Sequence, residues 1–149
     1  MTRYKNPMLR LYKKFKKSFG LEAYIKLVAD RKIQKSISQF RLSSHCLRIN
    51  KGRQERDKNG KNTPANKRFC LNCKNGKIDD ELHLLNECKT HSKERKLLIS
   101  RIAPFIDPHC PHTPLDVLSI ILNSDNEFVL HEFGKFLKVS FSKRKADSK

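Results

Sequence analysis

Tryptophan is absent from this chain, and apolar residues make up only 37% of it. A core drawn from that supply is modest, so a cross-link or a metal would add to its stability. Acidic residues are also scarce, with fifteen Asp+Glu against thirty-three Lys+Arg and a net charge of +18. The shortage is uneven. Residues 1–68 hold four acidic and twenty basic side chains, a balance of +16, whereas residues 69–149 are nearly neutral at +2. A block so positive repels itself until a polyanion neutralises it, which makes nucleic acid or an anionic surface the expected partner.

Long apolar runs are missing too. No segment approaches the ~18 consecutive apolar residues of a membrane span, and the lysine-faced first helix lacks deep aromatic anchors such as Trp for an anionic membrane surface, so no membrane partner is expected. The start, MTRYKNPMLRLYKKFKK, has no uninterrupted apolar region and does not read as a secretory signal. Five cysteines is an odd count. The chain is therefore expected inside the cell, nuclear or cytoplasmic, where clustered cysteines bind metal more often than they pair. The paired-aspartate motif on a hairpin that a polymerase palm needs has no counterpart. The His-x-Glu and Pro-Cys-x-x-Cys steps of a zinc deaminase are also absent. No enzymatic activity is expected.

The periodicity that is present is helical. Met8, Leu9, Leu11, Tyr12, Phe15 and Phe19 mark an amphipathic helix with a lysine-rich opposite face, stopped by Gly20. A second helix is predicted from Leu21 to about Ile37 and a third from Ser38 to about Asn50. Residues 50–68 contain no large apolar residue and read as a flexible loop. Further helices are predicted over Lys89–Ile102, from the Thr113-Pro114 cap to Leu122, and from about Asn126 to Ser142. The tail SKRKADSK is expected to fray. The divisions are a basic helical segment (1–50), a basic loop (51–68), a cysteine module with its following helix (69–103) and a C-terminal helical pair with tail (104–149), together one domain. The fold class is mainly α, a small helical domain around one metal site.

That site is the sharpest motif. Cys70 and Cys73 form a Cys-x2-Cys, nine residues separate Cys73 from His83, and four separate His83 from Cys88. Such a turn offers two thiolates from one tight loop, and the His-Cys step supplies the rest of a tetrahedral zinc site. On a straight α-helix that five-residue step turns the side chains about 140° apart. His83 and Cys88 therefore converge only if the helix ends or bends between them. Four protein ligands leave no open position, so the site is expected to be structural rather than catalytic. His91 is the best substitute ligand, Cys46 and Cys110 read as ordinary thiols, and the His109-Cys110-Pro111-His112 group does not close a second site. Asp79, Asp80 and Glu81 read as an acidic cluster at a helix N-terminus rather than a nuclease centre.

The combination resembles the C-terminal region of reverse transcriptases encoded by non-LTR (LINE-type) retrotransposons. The residues that carry the likeness run from Ser38-Gln-Phe-Arg41 through His45-Cys-Leu47 to Gly52-Arg53, then Arg68-Phe-Cys70-x2-Cys73, then Ile78-Asp-Asp-Glu81-Leu-His83-x4-Cys88, with Arg95 beyond. The likeness covers about residues 30–142. It departs in a lysine- and asparagine-rich loop at 57–67, and in Asn50, where an acidic residue is usual. The resemblance implies a module that helps such an enzyme hold its RNA template or target DNA, with other retroelement proteins as further partners.

On this reading Arg41, Arg48, Arg53, Arg56, Lys67 and Arg68 line a cationic surface beside the zinc, extended by Lys13, Lys14, Lys16 and Lys17. RNA or DNA is then held largely through its phosphates. The competing reading is a zinc-stapled protein-interaction module that docks through the Phe-rich C-terminal helix.

Overall fold

The computed structural model describes residues 10–109 and 113–146. The expectations for Met8, Leu9, Cys110, Pro111, His112 and the last three residues of the tail lie outside that range. Among the described residues the chain is mainly helical, with two isolated β-bridges and no strand. The helices are α1 (Arg10–Phe15), α2 (Ala23–Leu27), α3 (Arg31–Arg41), α4 (Arg48–Lys51), α5 (Ser92–Ile102), α6 (Pro114–Leu122) and α7 (Glu127–Ala146).

Several boundaries differ from the sequence pattern, each for a local reason. The expected Leu21–Ile37 helix is broken into α2 and α3 because Asp30 acts as an N-cap, its Oδ1 accepting from Lys32 N at 2.7 Å and Ile33 N at 3.2 Å. α3 then continues through Ser38, where a new helix was expected, and ends before Ser43, whose φ of 53° leaves the helical region. Only α4 remains of the expected third helix. At the N-terminus Leu11 and Phe15 are buried as the stripe requires, but Phe19 is fully exposed beyond the end of α1. The Thr113 cap behaves as predicted, with a reciprocal capping box to Asp116 at the start of α6.

α7 is the element around which the others assemble. α3, α5, α6 and α2 all pack on it. The α3 approach is close enough to require glycine: a Cβ on Gly134 would lie 2.1 Å from Ile33 Cγ2. Phe40 and Phe133 meet edge to face at 5.4 Å, the favoured aromatic geometry. The docking face imagined for α7 is spent in this core. Val129, Phe133, Phe136, Leu137 and Phe141 are buried, and Phe128 is the exposed member of that stripe. One hydrophobic cluster runs from Leu11 to Phe141.

α7 is also longer than predicted and takes in much of the tail. Arg144, expected in a frayed end, is 4% exposed. Leu137, Phe141 and Arg144 follow one another at helical steps of four and three, so the arginine continues the buried stripe.

Candidate metal centre

The first half of the centre is a short antiparallel turn. Phe69 and Ile78 are bridged, with Cys70 N donating to Lys77 O (2.9 Å) and Asp79 N to Arg68 O (2.9 Å). The chain reverses between them through Lys74 (φ 50°) and Gly76 (φ 70°). Inside the turn, the Cys73 N–H bonds to the Cys70 sulfur.

The second half solves the angular problem posed by the spacing. Asp80 Oδ1 accepts from His83 N at 2.8 Å and starts the turn. The chain then makes a π-helical turn over His83–Glu87, closed by Cys88 N donating to His83 O at 2.8 Å. That i→i+5 bond spreads five residues over roughly one turn, so His83 and Cys88 face the same way. Such π turns are rare and appear mostly at functional sites.

The four donor atoms of Cys70, Cys73, His83 and Cys88 lie within 4.8 Å of one another. Cys70 Sγ and Cys88 Sγ are 3.9 Å apart, and Cys73 Sγ lies 3.3 Å from His83 Nε2. Tetrahedral zinc, with bonds of about 2.3 Å to sulfur and 2.0 Å to nitrogen, sets these separations near ~3.8 Å and ~3.5 Å. The donor set and its spacing therefore fit a metal ion that takes three thiolates and an imidazole. His83 presents Nε2 to the cluster. Its Nδ1 is buried and lies 3.7 Å from Glu87 Oε2, longer than a hydrogen bond.

Around the sulfurs lies a shell that the sequence pattern did not reveal. Arg144 reaches in from α7, with Nη1 3.4 Å from Cys70 Sγ and Nη2 3.4 Å from Cys88 Sγ. Nη1 also donates to Asn72 Oδ1 (3.0 Å), and Nε to His91 Nε2 (3.1 Å). The side chain thus binds two metal-ligand sulfurs and the loop that carries them. Arg95 donates to the carbonyls of Leu84 (3.3 Å) and Cys88 (3.1 Å), holding the π turn from the other side.

The charges act on the titratable groups as this geometry requires. The Cys70 thiol is pulled down to about 3, first by its hydrogen bond with Cys88 and further by Arg144, while Cys88, sharing that bond, is pushed up. Burial, aided by the Arg144 charge, pulls His91 down to about 4, so its imidazole is neutral near pH 7 and accepts the Arg144 proton donor. Burial holds Asp79 above the usual carboxylate range, against the pull of Arg144. His91, the expected substitute ligand, is thus a fully buried support for Arg144 rather than a member of the cluster.

The three acids of the run go to separate partners. Asp80 caps the His83 turn as a helix N-terminal carboxylate should. Asp79 instead accepts from Arg48 N at 2.9 Å, starting α4, and Glu81 receives His45 Nε2 (2.9 Å) and Ser43 Oγ (3.2 Å) in the interior. A common helix-terminal role is therefore corrected for Asp79 and Glu81, which are both buried at 1% exposure.

The predicted cationic surface is thinned in the same way. Arg41 is 2% exposed, donating to Leu122 O (2.5 Å) and pairing with Glu22 (3.0 Å). Arg68 is buried against Gly52 and donates to Ile49 O and Thr63 O. Both are corrections, since a guanidinium buried in the interior does not face a phosphate in solvent. Lys16 and Arg48 are half-buried and paired with Glu22 and Glu55. Arg53 is half-buried, while Lys13, Lys14, Lys17, Arg56 and Lys67 are exposed.

No helix among the described residues is long and apolar enough to cross a membrane. Comparison with protein-family models, with curated proteins and with solved structures gives no match to this chain.

Proposed function

We propose that this chain is a zinc-stabilised nucleic-acid-binding module. The observation that carries the metal half is the convergence of three thiols and one imidazole within 4.8 Å. Three thiolates favour a soft or borderline ion, and four protein donors in a tetrahedral spacing suit structural zinc. An intracellular, reducing compartment keeps those thiols available. With its coordination closed, the ion serves as a scaffold and not as a catalyst.

The nucleic-acid half rests on charge. The balance of +16 in residues 1–68 survives the burial of Arg41 and Arg68 as a set of exposed cations: Lys13, Lys14, Lys17, Arg56 and Lys67. Each phosphate that such a side chain neutralises releases counterions, so affinity falls steeply with salt. The resemblance to retrotransposon reverse transcriptase tails supports an RNA template or target DNA as the ligand. It also supports other retroelement proteins as neighbours.

The test pairs metal content by mass spectrometry with fluorescence anisotropy of labelled RNA and DNA. One zinc per chain and binding that collapses between ~50 and ~200 mM salt are expected. Salt-insensitive or absent binding by a zinc-loaded chain would remove the nucleic-acid half, and a folded chain without metal would remove the other.

A further inference from the structure

A cavity of about 330 Å³ lies between α3, α4 and α7. Its size is at the lower end of ligand-binding pockets. Gln39, Ser44, Gln54, Lys51 and Lys145 line it, with the buried Phe141 beneath them. No carboxylate lines it. The cavity between α5 and α7, by contrast, is lined by Glu94 and Glu132 together with Arg101, Lys135 and Lys138, and Arg101 and Lys135 are already paired with Glu132.

We infer that this cavity holds one nucleotide, its base inside and its phosphate at Lys51 and Lys145. Side-chain amides and hydroxyls each carry donor and acceptor capacity, which base edges need. Gln39, Ser44 and Gln54 make no side-chain hydrogen bond with other described residues, so that capacity is unspent. The wall itself is braced: Asn50 Nδ2 donates to His45 O at 3.0 Å, and the His45 and Phe141 rings stack at 5.9 Å and 30°. Two lysines without opposing carboxylates suit the nucleotide's phosphate. The assignment takes its ligand class from the nucleic-acid reading above, and it places a base contact where that reading has only phosphate contacts.

The experiment uses the zinc-loaded full chain, with the Gln39 and Gln54 side-chain amide signals followed by NMR. Uridine and adenosine 5′-monophosphate, ribose 5-phosphate and inorganic phosphate are titrated in turn. The mononucleotides are expected to move both amide signals saturably. Gln39→Ala with Gln54→Ala, read through the side-chain amide of Asn50 instead, should weaken the mononucleotides about tenfold, a loss typical of base-edge hydrogen bonds. Lys51→Gln with Lys145→Gln should weaken mononucleotides and ribose 5-phosphate alike.

Equal amide shifts with ribose 5-phosphate, or none with mononucleotides, would overturn the assignment. A short single strand that moves the amides while a duplex does not places an unpaired nucleotide of a strand in the pocket. Movement with free mononucleotide alone assigns a free nucleotide instead. If strands bind with a salt slope but the amides stay still, the pocket fails and the nucleic-acid reading stands. If only mononucleotides bind, the pocket stands and that reading fails.

Discussion

Arg144 Nη1 stands 2.7 Å from Asp79 Oδ1 while also reaching Asn72 and the Cys70 sulfur. The two side chains form a buried ion pair. It joins the last turns of α7 to the residue that also starts α4 and closes the Cys70 turn. One arginine thereby couples the metal centre to the helical core.

Removing that guanidinium should loosen the metal. Arg144→Gln is expected to lower zinc affinity by about 10–100-fold, the cost of losing an outer partner of the ligands. Arg144→Lys should recover little, because one ammonium cannot serve two sulfurs, an amide oxygen and an imidazole from one plane. Competition against a chromophoric chelator reads both variants.

Cys73→Ser and Cys88→Ser should each lose the metal and much of the helical circular dichroism. An ion held by all four residues would tie the Cys70 turn to the His83 turn, and structural zinc contributes directly to folding. Metal content and the far-ultraviolet spectrum are measured on the same samples.

Gly134→Ala should destabilise without touching the metal. Its new methyl would meet Ile33 Cγ2 at 2.1 Å, and both helices are fixed by their other contacts. A loss of about 1–3 kcal/mol, the usual cost of overpacking, is expected from urea unfolding.

His91 predicts an acid-sensitive component of stability. Its folded value of about 4 lies below the ordinary 6.5, so the unfolded chain takes up the proton first. This contribution is full above pH 6.5 and is lost as pH falls from there through about 4. It amounts to at most about 3 kcal/mol. His91→Gln, which keeps an acceptor for Arg144, should flatten that part of the pH profile relative to the unaltered chain.

Two basic substitutions should separate surface from interior. Lys67→Gln is expected to leave stability unchanged and to reduce the salt slope of RNA binding by about one if it contacts a phosphate. Arg41→Gln leaves the Leu122 carbonyl without its buried donor, while Glu22 keeps Lys16, and should cost about 1–3 kcal/mol of stability. Denaturant curves and anisotropy on both variants make the comparison.

What the sequence determined by itself was local. The spacing of Cys70, Cys73, His83 and Cys88 named the ligands, and the same spacing required a departure from the α-helix that appears as the π turn. Helical periodicity located the core stripes, and Thr113-Pro114 marked a helix start. These signals are readable because each depends on residues a few positions apart.

The tertiary structure decided which charges are buried. Arg41, Arg68 and Arg144 look like any of the other basic residues, and Asp79 and Glu81 like an acidic surface run, until partners distant in sequence surround them. Burying a charge is unfavourable unless it is paired and hydrogen-bonded, and those partners are brought together only when α7 packs across α3 and the metal turn. For Arg144 a trace was present in the continuing step from Leu137 and Phe141, but a stripe position shows only that a residue faces inward. What it faces there, two sulfurs and an aspartate, is fixed by the crossing of distant segments.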